Sequence, residues 1–359
     1  MVSTAAPPLR RELVGGTPYG APQLDVPIRL NTNENPYPPP QAVVDDITAA
    51  VATAAGGLNR YPDREAEALR RDLADYLGYG LSATKVWAAN GSNEVMLQLL
   101  QAYAGPGRTA MSFAPTYSMY SHFARSTATR WVCHPRRPDF GIDIDDALDH
   151  VSAERPDVVV LASPNNPTGG ALSLDTVAAV ADRAPGLVIV DEAYAEFRRP
   201  GVQSALALLA DHPRMVVTRT MSKAFALAGV RLGYAAADPR IVAGLQMVRL
   251  PYHLSTLTQV VARTALQHSF TLLAQLDALR AERDALVRWL RAAGLSVPDS
   301  DANFVLFGRF PDSHAVWQAL VDRGVLIRET GPPGWLRVSV GTPQQMSAFR
   351  RALREVLAE

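Results

Sequence analysis

Short apolar runs alternate with longer helical patterns through the middle of the chain, and this alternation constrains the fold more than any other feature. KVWAA (85–89), TAMSF (109–113), DVVVLAS (157–163), LVIVD (187–191), MVVT (215–218) and LGYAAA (232–237) read as buried strands. Several are rich in valine and bounded by Gly, Pro, Asn or Asp. Between them, NEVMLQLLQAYA and LDTVAAVADRA carry apolar residues at helical spacing. Strands that alternate with helices are joined by crossovers, so the expected fold class is α/β, a mostly parallel central sheet with helices on both faces. Ligands of such sheets bind outside the carboxyl ends of the strands, and chemistry is expected to cluster there.

Near residue 250 the pattern changes. RLPYHLSTLTQ interrupts the alternation, and a long Ala/Leu/Arg-rich helical region (259–293) follows. ANFVLFGR (302–309), GVLIRE (324–329) and WLRVSV (335–340) then read as strands, and PQQMSAFRRALREVLAE as a closing amphipathic helix. The expected organisation is an N-terminal arm over 1–41, a large domain over 42–263 and a smaller α+β domain over 264–359. The arm is rich in Pro and Asn and reads as a segment laid across something else.

The 35 basic and 35 acidic residues cancel, so no whole-protein field draws the chain to nucleic acid or membrane. An anionic ligand must be met by local arginines, hydroxyls and backbone amides. Cys133 is the only cysteine, which excludes an intrachain disulfide and suits a reducing cytoplasm. MVSTAAPPLRREL has no apolar run suited to secretion, and no stretch approaches the ~18 apolar residues of a membrane span. The seven histidines show no metal-ligand spacing, so no metal is expected.

The polar residues fall at the ends of the expected strands. AANGSNE (88–94) opens a helix with free backbone N–H groups and the Ser92 hydroxyl, which suits a phosphate, though an ordinary helix N-cap reads the same way. In SFAPTYSMY, Tyr117 follows a Pro turn and is either a core ring or a platform for a bound aromatic ligand. SPNNPTGG holds Asn166 between rigid neighbours. LVIVDEAYAEF delivers Asp191 at a strand end with Tyr194 three residues on. A buried aspartate requires a positive partner, either an arginine of the protein or a ligand. In MVVTRTMSKAFALAGVRLGY, Thr220 and Ser222 flank a turn that carries Lys223, and Arg231 starts the next strand. Lys223 is a solvated loop lysine or, if confined, an amine able to form a Schiff base with an aldehyde. Arg231 offers a planar fork for a phosphate.

Taken together these side chains specify one ligand. It has a ring to stack on Tyr117, a cation for Asp191, an aldehyde for Lys223 and a ring hydroxyl near Asn166 and Tyr194. Its phosphate would meet Ser92, Thr220, Ser222 and Arg231. Pyridoxal 5′-phosphate has all of these groups.

The chain resembles the fold type I aminotransferases and, within them, the histidinol-phosphate aminotransferases. The resemblance runs from TPYG and NTNENPYPPP through RYPDRE, NGSNE, PTYSMY, SPNNPTG, DEAYAEF, TMSKAFALAGVRLGY and DANFVLF to WLRVSVGT. It implies that Lys223 carries the cofactor, with Asp191 and Tyr194 as its catalytic partners. Gly91, Ser92 and Asn93 fall on the family's phosphate-cradling turn. Tyr61 matches a tyrosine that reaches across a homodimer interface to the neighbouring cofactor phosphate. Arg337 and Arg328 match the arginines that bind the substrate's anionic ends, Tyr19 matches a substrate-side tyrosine, and Asn35 lies in a stretch that folds over the site. The implied reaction is transamination between L-histidinol phosphate and 2-oxoglutarate in histidine biosynthesis. Related families act on aromatic amino acids or decarboxylate threonine phosphate. Regulators built on this fold carry an extra DNA-binding module, for which the ~40 residues of the arm are too few.

Overall fold

The computed structural model describes residues 7–358; the first six residues of the expected arm and Glu359 lie outside them. A seven-stranded sheet forms the centre of the large domain. Its strands, in chain order, are β1 (Val86–Asn90), β2 (Thr109–Ala114), β3 (Arg130–Pro135), β4 (Val158–Ala162), β5 (Leu187–Asp191), β6 (Met215–Thr220) and β7 (Leu232–Ala237). Their spatial order is β1-β7-β6-β5-β4-β2-β3. All are parallel except β7, which runs antiparallel to both neighbours.

The apolar runs are continuous because both faces of the sheet are covered. Successive residues of one strand enter different cores: Val159 and Leu161 join the core on one face, Val158 and Val160 that on the other. In β5, Val188 and Val190 are divided from Leu187 and Ile189 in the same way. Helix starts follow local chemistry. The Asp143 carboxylate accepts from the Asp145 and Asp146 amides, and Ser173 Oγ accepts from Thr176 N.

β3 was not anticipated. RWVCHP is half polar, and as an edge strand it buries only part of its surface. The helical region expected over 259–293 is three helices, Thr256–Gln267, Ser269–Leu273 and Leu276–Ala292. The first packs Ala262, Ala265 and Leu266 into the large core, so the expected boundary at 263/264 falls inside a large-domain helix. The changeover runs along Leu276–Ala292: Leu276 and Leu279 belong to the large core, Leu286 and Leu290 to the small one.

The small domain holds an antiparallel sheet of β8 (Phe304–Gly308), β10 (Arg328–Glu329) and β11 (Trp335–Ser339). GVLIRE, expected as one strand, divides at Ile327: β9 (Val325–Leu326) pairs instead with Ile28–Arg29 of the arm, in parallel. That ladder, with Leu30 in the small core, fixes the arm so that residues 31–35 pass between the domains. The closing helix forms as expected, over Pro343–Ala358.

Candidate active site

The carboxyl ends of β1, β2, β4, β5 and β6 open into a cavity of about 240 Å³, closed on its other side by Arg328 and Arg337 of the small domain. Register puts Asp191 between Ala162 of β4 and Thr218 of β6, at the centre of the sheet edge.

Lys223 enters this cavity from a turn held by fully buried neighbours. Met221, Ala224 and Phe225 anchor the backbone, and Met221 N donates to Leu232 O at 3.0 Å. The side chain is therefore confined rather than solvated, with Nζ donating to Thr32 O at 2.8 Å. Burial, with the charges of Arg337 and Arg231 against the opposing pull of Glu34, brings its pKa down to about 8. At neutral pH a fraction of this amine is uncharged and nucleophilic.

Asp191 is buried and accepts from Tyr120 Oη at 2.7 Å, Thr218 Oγ1 at 3.1 Å and Ala193 N at 3.2 Å. Burial pushes its pKa up, and these donors work against the rise. The arginine that could have neutralised it is engaged elsewhere. Glu192, one residue on, takes Arg219 at 2.8 Å and Arg198 at 3.1 Å. Asp191 is thus a buried carboxylate facing the cavity with hydroxyl and amide donors only, the setting in which a cationic ring nitrogen completes the charge balance.

The phosphate end is a turn built around glycine. Gly91 has φ +83°, and a Cβ there would collide with the Arg231 guanidinium. Ser92 is not a side-chain N-cap: Gly91 takes that position with no side-chain bond, and Glu94 satisfies the Asn90 amide instead. Ser92 and Asn93 line the cavity with their polar groups. Arg231 donates to Ser222 Oγ at 3.2 Å, bringing fork and hydroxyl together. Thr220 lines the cavity as well, and its hydroxyl shapes the turn by donating to Leu232 O and accepting from Ser222 N.

Tyr117 lines the cavity, edge-on to Tyr120 (5.5 Å) and to Tyr19 (6.3 Å). Arg337 is buried; it donates to Asn166 Oδ1 and, at 2.8 Å, to Asn31 O, while its Nε has no partner among the described residues. Burial brings its pKa down to about 10. Because Asn166 Oδ1 is taken by Arg337, the Asn166 Nδ2 is the group free to donate to a ligand oxygen. Arg328 lies over the Tyr19 ring at 6.0 Å and also keeps a buried N–H without a partner. Two guanidinium groups lining one cavity suit an anionic substrate.

Two expected residues are not in the cavity. Asn35 faces away, donating to Ala224 O at 3.2 Å; Asn33, in a left-handed conformation (φ 56°), turns the chain so that Thr32 and Asn33 line the site instead. Tyr61 is 79% exposed and stacks on Tyr252 at 4.4 Å, outside its own chain's cavity. Sequence reasoning also missed Tyr120 and Thr218. Tyr120 stood within PTYSMY, and Thr218 is Asp191's register partner on β6.

The residues fit pyridoxal 5′-phosphate: a confined amine, an uncompensated buried carboxylate, a ring platform, and a glycine turn packed against an arginine. Fold and site together define a fold type I pyridoxal-phosphate transferase. The family model "Aminotransferase class I and II" matches residues 25–353, and the chain belongs to this family. It is 64% identical over 346 residues to a histidinol-phosphate aminotransferase of Thermobifida fusca, covering 96% of this chain and 94% of that one. It is 57% identical over 355 residues to histidinol-phosphate aminotransferase 3 of Burkholderia lata, covering 98% and 96%. The crystal structure of histidinol-phosphate aminotransferase from Sinorhizobium meliloti in complex with pyridoxal-5′-phosphate superposes with a TM-score of 0.83 at 27% identity, over 93% of this chain and 91% of that one.

Proposed function

We propose that this aminotransferase transfers the amino group between L-histidinol phosphate and 2-oxoglutarate, and that glutamate aminates imidazole-acetol phosphate in the biosynthetic direction of histidine synthesis. The carrying observation is the placement of Lys223, at a pKa of about 8, and the buried Asp191 in one cavity roofed by Arg328 and Arg337. Bound there, pyridoxal 5′-phosphate supplies an electron sink for the pair left when substrate Cα loses its proton. Lys223 Nζ would hold the cofactor aldehyde and, as a free amine beside the substrate, would move the Cα proton. Asp191 would keep the ring nitrogen protonated, and Asn166 and Tyr194 would hold the ring oxygen. Ser92, Asn93, Ser222 and Arg231 hold the phosphate. Arg337, with its fork partly unpartnered, serves both a carboxylate and a phosphate ester in the two half-reactions.

Tyr61, exposed and not among the residues that line its own cavity, contributes to the neighbouring site of a homodimer. The sole cysteine accords with a cytoplasmic location. Identity of 64% with the Thermobifida fusca enzyme supports the substrate assignment. Arg328→Ala tests it. The variant should lose roughly tenfold or more in kcat/KM for histidinol phosphate, the worth of a charge-assisted hydrogen bond, and little for phenylalanine. Equal losses would remove Arg328 from phosphate-ester recognition.

A further inference from the structure

Three successive arm residues each touch a different functional side chain. Asn31 O accepts from Arg337 and Thr32 O from Lys223, both at 2.8 Å, and Asn33 Nδ2 donates to Tyr194 Oη at 3.0 Å. The first two contacts hold cations that engage ligands. The third joins two buried side chains, and Asn33 has every polar group engaged. Its N–H donates to Ser339 Oγ at 2.9 Å, its Oδ1 accepts from Ser339 Oγ at 3.0 Å, and its carbonyl accepts from Asn303 Nδ2 at 3.0 Å. Its left-handed backbone is one that asparagine tolerates better than most residues.

These bonds set the direction of the Tyr194 contact. Ser339 Oγ accepts from the Asn33 N–H and gives its proton to Asn33 Oδ1, so the Asn33 amide turns Nδ2 toward Tyr194. Tyr194 Oη is then an acceptor on that side, and its own proton remains for the cavity that it lines. Burial pushes the Tyr194 pKa up, so the phenol keeps that proton. A hydroxyl that accepts a hydrogen bond also donates a stronger one.

We infer that Asn33 is a positioning residue, which by donating to Tyr194 Oη aims the phenolic proton at the ring oxygen of the cofactor. This rests on the functional reading above, which gives Tyr194 that oxygen. Asn33 acts through Tyr194. Since Ser339 and Asn303 belong to the small domain and Tyr194 to the large one, the aim depends on how the domains are joined.

The test is the pH titration of the visible absorbance of bound pyridoxal 5′-phosphate in the wild type, Asn33→Gly, Tyr194→Phe and the double variant. Glycine accepts the backbone conformation at 33. A donor to the ring oxygen favours its ionised form, so losing the donor raises the titration midpoint. Asn33→Gly should raise it by about 0.4–1 unit, the worth of one hydrogen bond, and Tyr194→Phe by at least as much. The double variant should shift no further than Tyr194→Phe. An unmoved midpoint in folded Asn33→Gly, or an Asn33 effect that persists on the Tyr194→Phe background, would overturn the inference. Should Asn33→Gly not fold, Ser339→Ala frees the Asn33 amide and must shift the midpoint upward; no shift there also overturns it. A wild type that develops no visible absorbance with the cofactor would refute the functional reading itself, and an unmoved Tyr194→Phe would refute the place it gives Tyr194, whereas an unmoved Asn33→Gly beside a shifted Tyr194→Phe refutes only the role of Asn33.

Discussion

Tyr120→Phe deletes a single hydroxyl, 2.7 Å from Asp191 Oδ2, and leaves a fully buried ring in place. The remaining donors, Thr218 Oγ1 and the Ala193 amide, both serve Oδ1. Oδ2 would become a buried anionic oxygen without a protein donor. A hydrogen bond to a charged group contributes about 1.5–3 kcal/mol, and one between neutral groups about 0.5–1.5 kcal/mol. The size of the loss therefore depends on whether Asp191 is ionised. Burial holds its folded pKa above the ordinary 3.8, so the group stabilises the fold most in acid and less as pH rises through the folded value. Deleting the hydroxyl raises that pKa further. The penalty should be about 1 kcal/mol in acid, grow from the wild-type folded pKa to that of the variant, and reach about 1.5–3 kcal/mol at alkaline pH. Urea unfolding of the two apoproteins across this pH range, at equal m-values, reads the difference from the midpoints. A penalty that does not change with pH would mean that Tyr120 does not bond an ionised carboxylate, and would remove the basis for pairing Asp191 with a cationic ring nitrogen.

Two further outcomes follow from the same geometry. With Lys223 at about 8, the rate at which the apoprotein captures pyridoxal 5′-phosphate should rise with pH and reach half its maximum near that value; a midpoint near the ordinary 10.5 would contradict the confinement of the amine. Tyr61→Phe keeps the ring stacked on Tyr252 and removes the exposed hydroxyl, so on the proposed homodimer reading the cofactor dissociation constant should rise about tenfold, as for one charge-assisted bond. Unchanged affinity in a dimer confirmed by gel filtration would assign Tyr61 to packing alone.

The sheet was legible because its buried strands are mostly runs of apolar residues that both faces need, and because many of their polar residues gather at the strand ends. Lys223, Asp191, Asn166 and Arg231 could be read from those ends. What stayed hidden depended on backbone direction and on neighbours distant in sequence. Asn33 and Asn35 are two residues apart in NTNEN, and only the left-handed turn at Asn33 decides which one meets Tyr194. The missing arginine partner of Asp191 follows from Glu192, whose claim on Arg219 and Arg198 emerges only when β5 and β6 lie side by side. β3 escaped notice because an edge strand needs no continuous apolar run. The break in the helical region at His268 and Gln275 carries no Gly or Pro to mark it.

The most direct measurement compares kcat/KM for L-histidinol phosphate and for phenylalanine, with 2-oxoglutarate as acceptor, in the wild-type protein reconstituted with pyridoxal 5′-phosphate. The account predicts a strong preference for histidinol phosphate, because Arg328 and Arg337 both line the cavity and offer it two cationic guanidinium groups. A ratio near unity or reversed would keep the aminotransferase chemistry and contradict the substrate.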